Sequence, residues 1–181
     1  MGQYYKAVNL DKKEFLSPHA CGDGAKLMEF ALSSMSMMSC LAILLADGNG
    51  RGGGDLFGVP CNACGGSCLA NECKSCNGDR YEPLPKIVGS WAGDRIVIAG
   101  DYADSGKFIP PEYVPREWDA DKDGRITVYN LAHEDNGWKD VSLEAMTALA
   151  MDKFVRKEFI ERSDESKWQR DQYSAILKGD S

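Results

Sequence analysis

The chain has 181 residues, 43% hydrophobic and 27% charged, proportions that fit one compact soluble domain and exclude wholesale disorder. A formal net charge of −7 repels phosphate backbones and anionic lipid, which disfavours a general nucleic-acid or membrane-surface binder. Nineteen glycines and seven cysteines complete the composition, and five of the cysteines fall within sixteen residues.

Residues 1–20 carry Lys6, Asp11, Lys12, Lys13 and Glu14 and no apolar run of the export-signal kind. Gly2 follows Met1, but Lys6 stands where a myristoylation signal needs Ser or Thr. Residues 3–10, with Tyr4, Tyr5 and Val8, alternate as a strand. Asp11-Lys12-Lys13 is a turn into a second short strand that ends at Ser17-Pro18. Gly24 opens a helix with Leu27, Met28, Ala31 and Leu32 at helical spacing. Ser34 or Ser36 caps a second helix through Ala46, nearly apolar all round and therefore buried. Its apolar run of ten residues is short of the about 20 that a membrane span needs.

The glycine-rich stretch 48–55 ends that helix in a loop, and the cysteine-rich stretch follows. Ile87 to Trp91 and Arg95 to Gly100 read as two strands around a Gly93-Asp94 turn. Pro110-Pro111 and Pro115 exclude a regular helix there, and Ile126 to Leu131 reads as a strand. Ser142 caps the strongest helix pattern, which runs to Arg162 with Met146, Leu149, Ala150, Phe154 and Ile160 inward. A polar tail, 164–181, has Trp168, Tyr173, Ile176 and Leu177 as anchors. Of the other tryptophans, Trp91 is expected in the core, and Trp118 and Trp138 as surface anchors. Strands and helices do not alternate as βαβ units, so the class is α+β. The expectation is a single domain over 1–163, with a small mixed or antiparallel sheet packed on two to three helices.

The cysteine pattern is Cys61-x2-Cys64-x3-Cys68-x4-Cys73-x2-Cys76. A C-x2-C pair places two thiolates on one tight knuckle, and two knuckles complete a tetrahedral four-sulfur site for Zn²⁺. Cys64-Gly65-Gly66 and Cys76-Asn77-Gly78 supply residues that tolerate positive φ just past each pair. Cys61, Cys64, Cys73 and Cys76 are the expected ligands. Cys68 is surplus, either a replacement for one of them or a free neighbour. Five cysteines also admit an iron–sulfur cluster, and exposed reduced thiols in a loop are the bland alternative. A closed four-thiolate site stabilises structure and runs no chemistry. Cys21 and Cys40, beside the helices, are expected to be buried small apolar residues. Each half of the cluster is similar to the C-x-x-C-x-G repeats of the DnaJ cysteine-rich region, over about twenty residues. That likeness implies a zinc-knuckle geometry, not a chaperone.

Asp119, Asp121, Asp123, Gly124, Arg125 and Thr127 match the opening positions of an EF-hand calcium loop. Three carboxylates would converge on one ion, and Arg125 would add its carbonyl. Asn130 replaces the bidentate glutamate and weakens the site, and the upstream prolines remove the entering helix. A solvated acidic turn is the alternative. Arg51-Gly52-Gly53-Gly54-Asp55 is an anion-cradle candidate for a cofactor, yet it lacks P-loop spacing and lysine; a plain linker is the competing reading. His19 and His133, with Asp23, Asp94, Asp101 and Glu134, form a hydrolytic or acid–base set only if the fold brings them together.

Beyond the cysteines, several runs resemble an uncharacterised family of small bacterial and phage-encoded proteins. They are Met1-Gly2-Gln3-Tyr4, Val8-Asn9-Leu10-Asp11-Lys12-Lys13-Glu14, Pro18-His19, Gly22-Asp23-Gly24-Ala25-Lys26-Leu27, Arg51-Gly52-Gly53-Gly54-Asp55-Leu56, Gly89-Ser90-Trp91-Ala92-Gly93-Asp94-Arg95 and Gly100-Asp101-Tyr102. The resemblance covers 1–57, 84–108 and 129–163 and implies no activity. It implies that 58–83, the zinc knuckle, and 109–128, the acidic calcium-like loop, are insertions in a smaller core.

The leading functional expectation is a cytoplasmic zinc-binding protein of a bacterium or phage-infected cell, non-enzymatic, that contacts a protein partner or a small anionic ligand. The odd cysteine count and the missing export signal support a reducing interior. One alternative is a nucleotide or small-molecule binder or hydrolase in which Arg51 to Asp55, Asp94, Arg95, Asp101 and His19 line one pocket. The other is zinc-knuckle recognition of single-stranded nucleic acid, which the acids Glu72, Asp79 and Glu82 in the knuckle oppose.

Overall fold

The computed structural model describes residues 2–31, 36–49, 55–68, 72–103, 109–114, 126–163, 174 and 176. It is α+β, with a four-stranded mixed sheet and four helices among those residues. Contacts group the chain into two compact units, Met1–Ala42 with Gly93–Leu143 and Ile43–Ala92 with Glu144–Ser181.

The first unit holds the sheet. Its strands are β1 (Tyr5–Asn9), β2 (Glu14–Leu16), β3 (Ile96–Gly100) and β4 (Lys139–Asp140), in the order β3-β1-β2-β4. β1 runs antiparallel to β2, with Val8 opposite Phe15, and to β3, with Ala7 opposite Ile98; β2 and β4 are parallel. The two-residue period of β1 puts Lys6, Val8 and Leu10 on one face. Val8 and Leu10 pack there with Phe15, Ala99, Val128, Leu131 and Trp138. Lys6 closes the same face, its ammonium 2.8 Å from the Ala132 carbonyl and over the rings of Phe15 and Tyr129. Burial holds its pKa below the ordinary lysine value.

The β1–β2 turn is built by buried Asn9, whose Oδ1 accepts the Asp11 and Lys12 N–H groups. Its Nδ2 donates to Asp94 at 2.7 Å, and Lys12 pairs with the same carboxylate. Asp11 in turn accepts the Arg95 N–H and guanidinium, each at 2.7 Å. The turn therefore clamps the start of β3 and fixes its register. The Lys12 ammonium beside Asp94 and the Arg95 guanidinium beside Asp11 hold both carboxyl groups below their ordinary values. A lowered carboxylate pKa stabilises the fold above the unfolded-state value and ceases to do so as pH falls through the folded-state one. Asp94→Asn is thus expected to lower the urea midpoint at neutral pH, with the difference from wild type shrinking as the solution is acidified. A pH-independent difference would overturn this account.

Several segments differ from the sequence expectation. The segment opened by Gly24 is a short 3₁₀ turn at Leu27–Ala31. The stretch 126–131 is not a strand: Thr127 accepts the Asn130 N–H and caps the short helix α2 (Val128–Leu131). Trp138 is buried in the sheet core, edge-on to Tyr113, and is no surface anchor. Helix α1 (Met37–Leu45) forms where expected, with Ser36 accepting the Met38 N–H and Asp23 adding an acceptor for the Met37 N–H at 2.6 Å. It is not buried all round: Met38, Ala42 and Leu45 form an exposed face. Cys21 and Cys40 are buried, as expected of packing residues.

In the second unit, 86–92 is a succession of turns and no strand. Its backbone satisfies the end of α1: Gly89 N–H donates to the Ile43 carbonyl at 2.7 Å and Trp91 N–H to that of Leu44 at 2.8 Å. Gly89 has φ +74°, and a Cβ there would lie 2.6 Å from the Ala46 carbonyl oxygen, so only glycine fits. The long helix expected from Ser142 is two helices, α3 (Ser142–Ala150) and α4 (Lys153–Ser163). Asp152 causes the break. One carboxylate oxygen accepts the Phe154 N–H at 2.9 Å, and the other accepts Phe57 N–H at 3.3 Å. Two residues out of helical phase turn the face of α4, and Phe154, expected inward, is 65% exposed, with Ile160 also exposed. No helix among the described residues is long and apolar enough to cross a membrane.

Candidate metal centre

Among its described residues, the cysteine segment has little regular structure to hold it. Its two ends meet in one antiparallel bridge between Pro60 and Tyr81. The Cys61 N–H donates to the Arg80 carbonyl and the Glu82 N–H to the Val59 carbonyl, both at 2.9 Å. Above this neck each C-x2-C pair turns tightly. Gly65 N–H donates to the Cys61 carbonyl at 2.7 Å, and Asp79 N–H to that of Cys76 at 2.8 Å. The turns need left-handed backbone just past each pair, and they have it: Gly65 and Gly66 at φ +59° and +76°, Asn77 and Gly78 at +51° and +83°. The sequence reading of these residues holds.

The result is a cluster of sulfurs. The Sγ atoms of Cys61, Cys64, Cys73 and Cys76 all lie within 4.8 Å of one another. Cys61 and Cys73 are 3.8 Å apart, and Cys64 and Cys76 3.9 Å apart. A zinc–sulfur bond of about 2.3 Å in a tetrahedron gives an S···S edge of about 3.8 Å, so these two cross-knuckle pairs already have the spacing a metal requires. All seven cysteines are free thiols. Cys68 lies 3.6 Å from Cys76 through sulfur and is 8% exposed. Arg80 fixes its backbone by donating from Nε to the Cys68 carbonyl at 3.0 Å.

Electrostatics divide the thiols. Burial pushes Cys61 and Cys68 up to about 12. The Cys68 N–H, donating to the Cys64 sulfur, brings Cys64 down to about 6. At Cys76 burial acts upward, but the Arg80 N–H and hydrogen bonds from neighbouring thiols outweigh it, and its value is lowered. A closely packed thiol set shares protons among its members. A cation replaces those protons with its own charge, so the site can hold a metal such as zinc.

The other candidates take different places. Arg51, Gly52, Gly53 and Gly54 lie outside the described residues, and so do Asp119, Asp121, Asp123 and Arg125. Asn130 sits in α2, its carbonyl accepting from Asn136 Nδ2 at 3.2 Å. Asp94 and Arg95 serve the hairpin clamp, and His19 Nδ1 lies 3.2 Å from the Asp23 carbonyl. Asp101 accepts the Tyr4 N–H at the far end of β3. Arg95 and Asp101 thus flank the two ends of β3.

The neck has no local signature in the sequence. Pro60 and Tyr81 also line an apolar groove of about 430 Å³ with Phe57, Val59, Met151 and Phe154. No local pattern announces it, because its walls come from distant segments. The fold and site together define an α+β protein with a four-cysteine metal-type cluster. Comparison with family models, curated proteins and solved structures finds no match for this chain.

Proposed function

We propose that this is a non-enzymatic zinc protein of a reducing compartment, whose metal stiffens the 58–83 segment as a platform for contact with a protein partner. The observation that carries the reading is the four-thiol cluster, with cross-knuckle spacings at the tetrahedral edge. Four protein ligands leave zinc no open position for water or substrate, so its contribution is structural. The apolar groove at the neck supplies surface of the kind that buries a partner's side chain.

Metal analysis of protein purified under reducing conditions is expected to give one zinc per chain. The cobalt-substituted protein is expected to show tetrahedral thiolate–cobalt absorption. Protein free of metal and unable to take up cobalt would end the reading. A thermal-shift screen with short peptides and nucleotides separates the partner class. Peptides that stabilise the wild type but not Phe154→Asp favour the platform. Stabilisation by nucleotides alone would favour a small-ligand function.

A further inference from the structure

Four thiolates complete a zinc coordination shell, and this cluster has five thiols. The fifth, Cys68, is buried, and its sulfur lies 3.6 Å from that of Cys76, one of the four proposed ligands. That is shorter than the 3.8 and 3.9 Å of the Cys61–Cys73 and Cys64–Cys76 pairs. Metal-bound thiolates remain nucleophiles, and a second thiol in contact with one is positioned to trap its oxidised form.

We propose that Cys68 is the resolving thiol of a hydroperoxide-sensitive modification site, so that oxidation joins Cys68 to Cys76 and expels the metal. The inference rests on the metal reading above. The Cys76 thiolate attacks one oxygen of hydrogen peroxide: an S–O bond forms, the O–O bond breaks, and hydroxide leaves. The Cys68 sulfur then attacks the Cys76 sulfur. An S–S bond forms, the S–O bond breaks, and the second hydroxide departs as water with the Cys68 proton. The two sulfurs each lose one electron, and the peroxide gains both. Cys76 becomes a neutral disulfide sulfur, a poor ligand, and zinc retains only three thiolates. Because the product is a disulfide and not a sulfinate, a thiol reductant restores the site.

The test uses zinc-loaded full-length protein treated with hydrogen peroxide. Zinc release is followed with a chromogenic chelator, and disulfides are mapped by peptide mass spectrometry. Wild type is expected to release zinc, to yield the Cys68–Cys76 crosslink, and to regain zinc after dithiothreitol. Cys68→Ser and Cys68→Ala are expected to load zinc at the wild-type stoichiometry. After peroxide they are expected either to release zinc several-fold more slowly or to lose it without recovery on reduction. Release and recovery like wild type in both variants would overturn the proposal, as would a crosslink mapped to Cys61 and Cys73. Failure of both variants to load zinc would make Cys68 a ligand and overturn it equally. Wild-type protein that never loads zinc is a different result, and it removes the metal reading itself.

Discussion

Cys73→Ser is expected to abolish stoichiometric zinc binding and to open the whole 59–82 segment while leaving the sheet intact. The reason is the poverty of other forces in that segment. Its regular pairing among the described residues is the single Pro60–Tyr81 bridge, and its buried cluster is made of cysteines alone. The sheet unit has an aliphatic and aromatic core of its own around Val8, Phe15, Leu131 and Trp138. Structural zinc contributes about 10–16 kcal/mol in small metal-folded peptides, several times what one bridge and a few turn hydrogen bonds supply. Hydrogen exchange reads the outcome directly. In the variant, or in wild type with a strong chelator, the amides of Cys61, Gly65, Asp79 and Glu82 should lose protection, and those of β1 should keep it. Zinc binding should also release protons, since the Cys61 thiol, at about 12, is protonated at neutral pH and its ligand form is the thiolate. Affinity therefore falls as pH is lowered. Unchanged protection in metal-free protein would show that the segment holds itself together.

What the sequence disclosed and what it hid divide by range. The knuckle was legible because its ligands lie within sixteen residues and its glycines stand where the turns need positive φ. The β1–β2 hairpin was legible for the same reason, as a local alternation around a short polar turn. The groove and the neck were not, since Tyr81 meets Pro60 across the cysteine segment and Asp152 reaches Phe57 through ninety-five residues of chain separation. Two misreadings had usable local signals. Thr127 before Val128 and Asp152 before Lys153 are both helix N-caps, and weighing them above the apolar pattern would have given a helix at 128–131 and a break at 151–152. The surplus Cys68 was visible as a count, but its contact with Cys76 needed coordinates.

The largest loss of stability outside the metal site is expected from Trp91→Ala. Isoleucine, valine and tryptophan at 87–91 carry strand propensity, yet the chain turns through this stretch to reach the end of α1, a long-range demand that overrides local preference. Trp91 is 0% exposed and is the largest fully buried side chain in the described structure. Truncating such a residue removes its transfer free energy and leaves a cavity that the surroundings fill only in part, a cost of about 3–5 kcal/mol. Against a typical total of about 5–15 kcal/mol, that takes much of the available margin. The backbone role can be separated from the packing role. Trp91→Phe keeps the N–H bond to Leu44 and much of the buried area, and should recover most of the loss. Gly89→Ala keeps Trp91 but drives a Cβ to 2.6 Å from the Ala46 oxygen at a positive φ, so it should destabilise even though it adds a helix-favouring residue. Urea midpoints of the three variants test the scheme. It fails if Gly89→Ala is neutral or if Trp91→Phe is as costly as alanine, because either result would place the strength of this segment somewhere other than its buried ring and its cap on α1.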